Sequence, residues 1–128
     1  MFDHLSLGVH DLDHSTTFYR RVLGALGYRL HHHRPTEAAF GPDDHAALVL
    51  YPVDRDRPAT APRMHVAFRA PDRAAVRAFH AAALALGGAA LPDRDPAERP
   101  QFGADYFGAG VSDPDGHVLE VLTRAGPG

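Results

Sequence analysis

The chain repeats itself, and that repeat limits what it can fold into more than any other feature. Displaced by 61 positions, His4 falls on His65, Leu5 on Val66, Leu7 on Phe68 and Asp11 on Asp72. The same offset brings Phe18 onto Phe79, Leu23 onto Leu84, Gly27 onto Gly88 and Leu30 onto Leu91. Two copies are too few, and the period too long, for a solenoid, whose units stack in larger numbers. The expectation is one domain over residues 1–128, built from two versions of a supersecondary unit: module one about 1–57 and module two about 62–125. They meet where Asp, Arg and Pro crowd together between Asp54 and Pro62.

Each copy reads alike. His4 to Val9 alternates, with Leu5, Leu7 and Val9 on one face and His4, Ser6 and Gly8 on the other, the period of a half-buried strand. Asp11 or Asp13 can cap a following helix, whose Phe18, Val22 and Leu26 form a stripe before Gly27 stops it. In the second copy Met64 to Arg69 alternates, Asp72 opens a helix, and Val76, Phe79, Ala83 and Leu86 are its stripe before Gly87-Gly88. Short strands follow at about 28–33, 36–41 and 46–53, and at about 88–92, 104–112 and 117–123. Strand, helix, three strands, twice over, is an α+β design in which each helix covers one face of its sheet.

Composition narrows the chemistry. With no cysteine, disulfides, thiolate metal sites and a cysteine nucleophile are excluded. Ten histidines make imidazole, together with a carboxylate, the natural carrier of any metal or acid–base chemistry. A net charge of −3 gives no electrostatic reason to bind nucleic acid or an anionic membrane. No apolar run approaches the roughly 20 residues that cross a bilayer, and the start Met1-Phe2-Asp3-His4 is unlike a signal peptide, so the expected location is the cytoplasm.

The face of each sheet away from its helix carries His4, Ser6 and Gly8 in one copy and His65, Ala67 and Arg69 in the other. The last strand, His117-Val118-Leu119-Glu120-Val121-Leu122, sets Glu120 among apolar neighbours. An unpaired carboxylate is costly there, so Glu120 needs a partner. Two repeat-related histidines and one embedded glutamate offer nitrogen and oxygen donors to a divalent metal: Fe, Mn, Ni or Zn. An arginine partner for Glu120 is the plainer alternative.

Three stretches, FDHLSLGVHDLDHSTTFYRRVLGALGY, MHVAFRAPDRAAVRAFHAAALALGG and YFGAGVSDPDGHVLEVL, carry a family likeness. In them the chain resembles the vicinal oxygen chelate superfamily of glyoxalases, bleomycin-resistance proteins and extradiol dioxygenases. The resemblance implies two tandem βαβββ modules forming an open, barrel-like cup with the helices outside. It implies a divalent metal in the cup that chelates vicinal oxygens of a small molecule. It also implies a homodimer, sometimes with the cup shared between two chains. Carried over, the ligands are His4, His65 and Glu120, and Glu120 is the candidate catalytic residue.

Two departures from the family bear on the reaction. Aligning Pro42-Asp43-Asp44-His45 with Pro114-Asp115-Gly116-His117 sets Leu48, or with a two-residue shift Leu50, at the fourth ligand position, where glyoxalases of the lactoylglutathione type have a carboxylate. The extradiol pattern has a Tyr where Gly110 stands and a His within the stretch 101–109, which holds none. The reading is therefore a metal-dependent lyase, isomerase or dioxygenase, with a non-catalytic drug- or metabolite-binding protein of the bleomycin-resistance type as the alternative. Tyr51, Tyr106 and Phe107 are the expected pocket-lining aromatics, and the loop from Pro92 to Gly103 is either a lid or a plain connection. The run His31-His32-His33 reads as a solvated edge strand, His10, His14, His45 and His117 as exposed, and Arg73 and Arg77 as a solvated helix face.

Overall fold

A computed structural model describes residues 1–127. The first half runs β1 (Leu5–Val9), α1 (Leu12–Gly24), β2 (Arg29–Arg34), β3 (Glu37–Gly41) and β4 (Leu48–Pro52). The second runs β5 (His65–Arg69), α2 (Arg73–Ala85), β6 (Ala89–Ala90), β7 (Ala97–Glu98), a 3-10 turn (Pro100–Phe102), β8 (Phe107–Ser112) and β9 (Val118–Thr123). The capping aspartates behave as expected: Asp11 accepts the His14 amide at 3.1 Å and Asp72 the Ala75 amide at 2.8 Å. Gly27 and Gly87 follow the helices with φ of 87° and 97°, the left-handed conformation that closes a helix.

The first half forms a sheet in the order β1-β4-β3-β2, and the second a sheet in the order β5-β9-β8-β6, with β7 pairing β8 beyond that path. In both, the first strand pairs in parallel with the last and the rest are antiparallel. This is an α+β fold with two open sheets, neither closed into a barrel.

Each helix lies on its own sheet, and the helices also pack against each other. Phe18, Val22 and Leu26 from α1 and Val76, Phe79 and Ala83 from α2 enter one buried cluster with Leu7, Val9, Leu50, Leu119 and Val121 from the sheets. Removing such side chains from water is worth roughly 1.5–3 kcal/mol each, so the single core ties the halves together. Each sheet thus has one face covered by its helix and packed into that core, and its other face turned away from the helices.

The register corrects the alignment at the fourth ligand position. Ala67 pairs with Glu120 in the second sheet, and its repeat partner Ser6 pairs with Val49 in the first. Val49, not Leu48 or Leu50, is therefore the counterpart of Glu120. Leu48 and Leu50 belong to the helix-side core. The chemical conclusion stands, since valine cannot ligate.

A clasp across the halves explains the Asp113-Pro114-Asp115-Gly116 turn. Asp113 accepts the buried Tyr19 hydroxyl at 2.5 Å and the amides of Asp115 and His117 at 2.9 and 2.8 Å. Asp115 accepts the His10 amide at 2.9 Å and the Ser15 hydroxyl at 3.3 Å. His117 is buried, not exposed as expected, because its ring meets the Gly8 carbonyl at 2.7 Å. His10 is likewise half-buried, bonded through Nε2 to the Arg57 carbonyl. Among the described residues, no helix is long and apolar enough to cross a membrane.

Candidate functional site

A pocket of about 440 Å³ lies on the open face of the second sheet. On adjacent parallel strands, His65 of β5 and Glu120 of β9 point into it, with His65 Nε2 3.6 Å from Glu120 Oε1. Glu120 is mostly covered, its side chain 23% exposed, so its charge needs compensation. Arg94 supplies part of it, donating from Nη1 to Glu120 Oε1 at 3.3 Å.

Two glycines of β8 make room for the pocket's walls. Gly110 faces Glu120 in the register, and a Cβ there would sit 3.2 and 3.3 Å from the Cβ and Cγ of Arg94. The Arg94 stem thus occupies the ground that a side chain at 110 would take, which is why the tyrosine of the extradiol pattern has no room here. Gly108 does the same for Tyr106, whose Cε1 would lie 3.0 Å from an added Cβ. Alternating glycines on one strand face mark this close approach.

The stretch from Pro92 to Gly103 is built into the pocket. Its backbone is pinned to the sheet by the Gly110 amide donating to Arg94 O and the Arg99 amide donating to Tyr106 O, each at 2.9 Å. The β7 pairing fastens it further. Arg94, Arg99 and Phe102 from this stretch line the pocket with Tyr106 and Arg124. Tyr106 packs 5.2 Å from the Phe102 ring, and the Arg124 guanidinium lies 5.2 Å over its face. Burial, and then the Glu120 carboxylate, raise the pKa of the Tyr106 hydroxyl, which keeps it a neutral hydrogen-bond donor.

The remaining sequence candidates lie elsewhere. His4 stands outside this pocket, bonded through Nδ1 to Asp3 at 2.7 Å, and no pocket-lining residue comes from the first half. Instead His4 and His65 border a second, mainly apolar groove of about 510 Å³ between the halves. Among the described residues, no three His, Asp or Glu side chains converge on a point within one copy. Tyr51 is 44% exposed on the open face of the first sheet, aligned with Gly8. Phe107 is buried in the helix-side core, beneath the guanidiniums of Arg73 and Arg77, each 4.8 Å from its ring. Those two arginines therefore cover an aromatic ring instead of forming a purely solvated face.

His31, His32 and His33 sit on the edge strand β2 with three different partners: the Pro42 carbonyl, Glu37 and Asp13. Arg94, Arg99 and Arg124 were not legible as site residues, since nothing in their spacing separates them from ten other arginines. The Gly108-Ala109-Gly110 pattern was the available signal.

Two open sheets with repeat-related topology and a His–Glu pair in a pocket on one open face define a paired-βαβββ protein. The chain belongs to the Glyoxalase/Bleomycin resistance protein/Dioxygenase superfamily, whose family model matches residues 1–121. A glyoxalase/bleomycin resistance protein from Albidiferax ferrireducens T118 superposes with a TM-score of 0.85 at 28% identity, over 96% of this chain and 98% of that one. The fosfomycin resistance protein FosX from Mesorhizobium loti shares the fold with a TM-score of 0.68 at 21% identity, over 96% and 91% of the two chains. Protein ATC0852 from Agrobacterium tumefaciens does so with a TM-score of 0.68 at 26% identity, over 98% of each chain. No match arises among functionally curated proteins.

Proposed function

We propose that the protein is a divalent-metal-dependent enzyme acting on a small molecule with neighbouring oxygen atoms, and that its site is completed between two copies of the chain. The observation that carries this reading is the His65–Glu120 pair, 3.6 Å apart at the pocket floor. Two donors held about 2.1 Å from one ion stand about 3.0–3.4 Å apart, so the pair fits two neighbouring coordination positions after a small adjustment. Imidazole and carboxylate suit Fe, Mn, Ni or Zn, and His4 of a second copy is the third ligand. When bound, the metal supplies Lewis acidity toward a substrate oxygen.

The dimer follows from what one copy lacks. The pocket is walled only by the second half, while the open face of the first sheet presents the exposed Tyr51, with His4 just before β1. A two-fold arrangement seats one copy's first sheet over the other's second, giving two equivalent sites. Within each site Glu120 ligates, Tyr106 donates a hydrogen bond to substrate, and the stretch around Arg94 and Phe102 screens the pocket from water.

The Arg94–Glu120 ion pair favours a second reading, a metal-free binding protein of the bleomycin-resistance type, because it compensates Glu120 without a metal ion. Elemental analysis after reconstitution with Fe, Mn, Ni and Zn separates the two. Wild type is expected to hold about one ion per chain, and His4→Ala, His65→Ala and Glu120→Gln to hold little. Mixed and reassembled His4→Ala and Glu120→Gln chains should recover about one site in four, because half the dimers are mixed and each has one intact site. Equal, negligible metal in all proteins refutes the enzyme reading, and metal uptake without recovery on mixing refutes the shared site.

A further inference from the structure

Three of the chain's thirteen cationic residues, Arg94, Arg99 and Arg124, line one pocket that holds a single carboxylate, although the chain as a whole carries a charge of −3. Arg94 is engaged with that carboxylate. Arg99 and Arg124 have no carboxylate partner among the described residues. Arg99 spends one Nη2 donor on the Asp95 carbonyl at 2.8 Å. Arg124 lies over the Tyr106 ring, its guanidinium carbon 5.2 Å from the centroid, and its side chain makes no hydrogen bond to another described residue.

From this we infer that the Arg99–Arg124 end of the pocket binds an oxyanion, the carboxylate or phosphoryl group of a small anionic ligand whose neutral oxygens face His65 and Glu120. Guanidinium edges match such groups in geometry, and hydrogen bonds between ions are about twice as strong as neutral ones. The Tyr106 hydroxyl, which keeps its proton, adds a neutral donor beside them. The placement is built and not incidental: Gly108 lets the Tyr106 ring lie on β8, Tyr106 seats Arg124, and the backbone bond from the Arg99 amide to Tyr106 O fastens Arg99 beside Tyr106 at the same end of the pocket. Arg94 meanwhile screens Glu120 from the incoming anion. The identity of the reacting end rests on the metal-site reading, but the anion site does not.

Amide chemical-shift titrations of the metal-free, full-length protein at low ionic strength test this with methylphosphonate, acetate and the uncharged N-methylacetamide. At least one anion should saturate with a Kd below ~20 mM while N-methylacetamide does not, the tighter anion deciding between phosphoryl and carboxylate ligands. Arg99→Gln with Arg124→Gln should weaken that binding about tenfold or more, each single change contributing part, and Arg21→Gln on α1 should leave it unchanged. The singles carry the test if the double variant loses its dispersed spectrum. Saturation by neither anion, or an equal loss with Arg21→Gln, overturns the proposal. The two readings separate cleanly: His4→Ala, outside this pocket, should abolish metal uptake and spare anion binding, and the arginine variants should do the reverse.

Discussion

Tyr19→Phe should cost far more than the loss of one oxygen implies. Tyr19 is fully buried, and its hydroxyl is the donor to Asp113 Oδ2, 2.5 Å away, while the other carboxylate oxygen takes two backbone amides. Deleting the hydroxyl leaves Oδ2 dry and unpaired, a penalty of about 1.5–3 kcal/mol for a hydrogen bond to a charged group. A chain of 128 residues unfolds with an entropy of roughly 0.27 kcal/mol/K, so the melting temperature should fall by about 6–11 °C at pH 7. Burial already raises the Asp113 pKa against the lowering effect of the Tyr19 bond. A carboxylate with a raised folded pKa binds protons more readily in the fold, so its contribution to stability declines as pH rises from the ordinary 3.8 toward the folded value. Removing Tyr19's bond pushes that value higher and widens the window. The cost of Tyr19→Phe should therefore be larger at pH 7 than at pH 4. Denaturant unfolding of the two single variants and the double variant with Asp113→Asn should give a coupling of about 1 kcal/mol or more. A cost below about 0.5 kcal/mol, additivity, or an effect independent of pH would refute the clasp.

Other outcomes follow from the same contacts. His80 is buried on α2 with Nε2 unpaired, and burial lowers its pKa below 6.5, so stability should fall as pH drops through and below that value. His80→Leu should flatten that slope in thermal melts between pH 7 and pH 5. Asp72→Ala removes the α2 cap and should cost about 1 kcal/mol in urea unfolding. Arg94→Gln breaks an exposed ion pair and should change stability by no more than about 1 kcal/mol, yet tighten divalent-metal binding in a direct titration by freeing Glu120.

Alternation, stripe and repeat sufficed to locate both helices and the main strands, because those signals depend only on which residues share a face over a few positions. The short β7 escaped: two residues hold too little pattern to register, and pairing with β8 alone makes them a strand. His65 and Glu120 were legible as a pair, since strand parity puts both on the open face. Their neighbours were not, because Arg94 and Tyr106 enter the pocket over glycines 16 and 2 residues further along the chain.

Local chemistry settled the elements, the caps, the open face and the donor types. Tertiary structure alone decided the rest. Parallel pairing made Val49 the counterpart of Glu120, since register is a relation between strands that loop alignment cannot supply. Helix packing joined α1 and α2 in one core and left His4, matched to His65 by the repeat, in the groove between the halves and outside the pocket that holds Glu120. Burial then made a clasp of a common turn: Asp113 and Asp115 acquire their importance from Tyr19, His10 and Ser15, some hundred positions away and adjacent only once the core has formed.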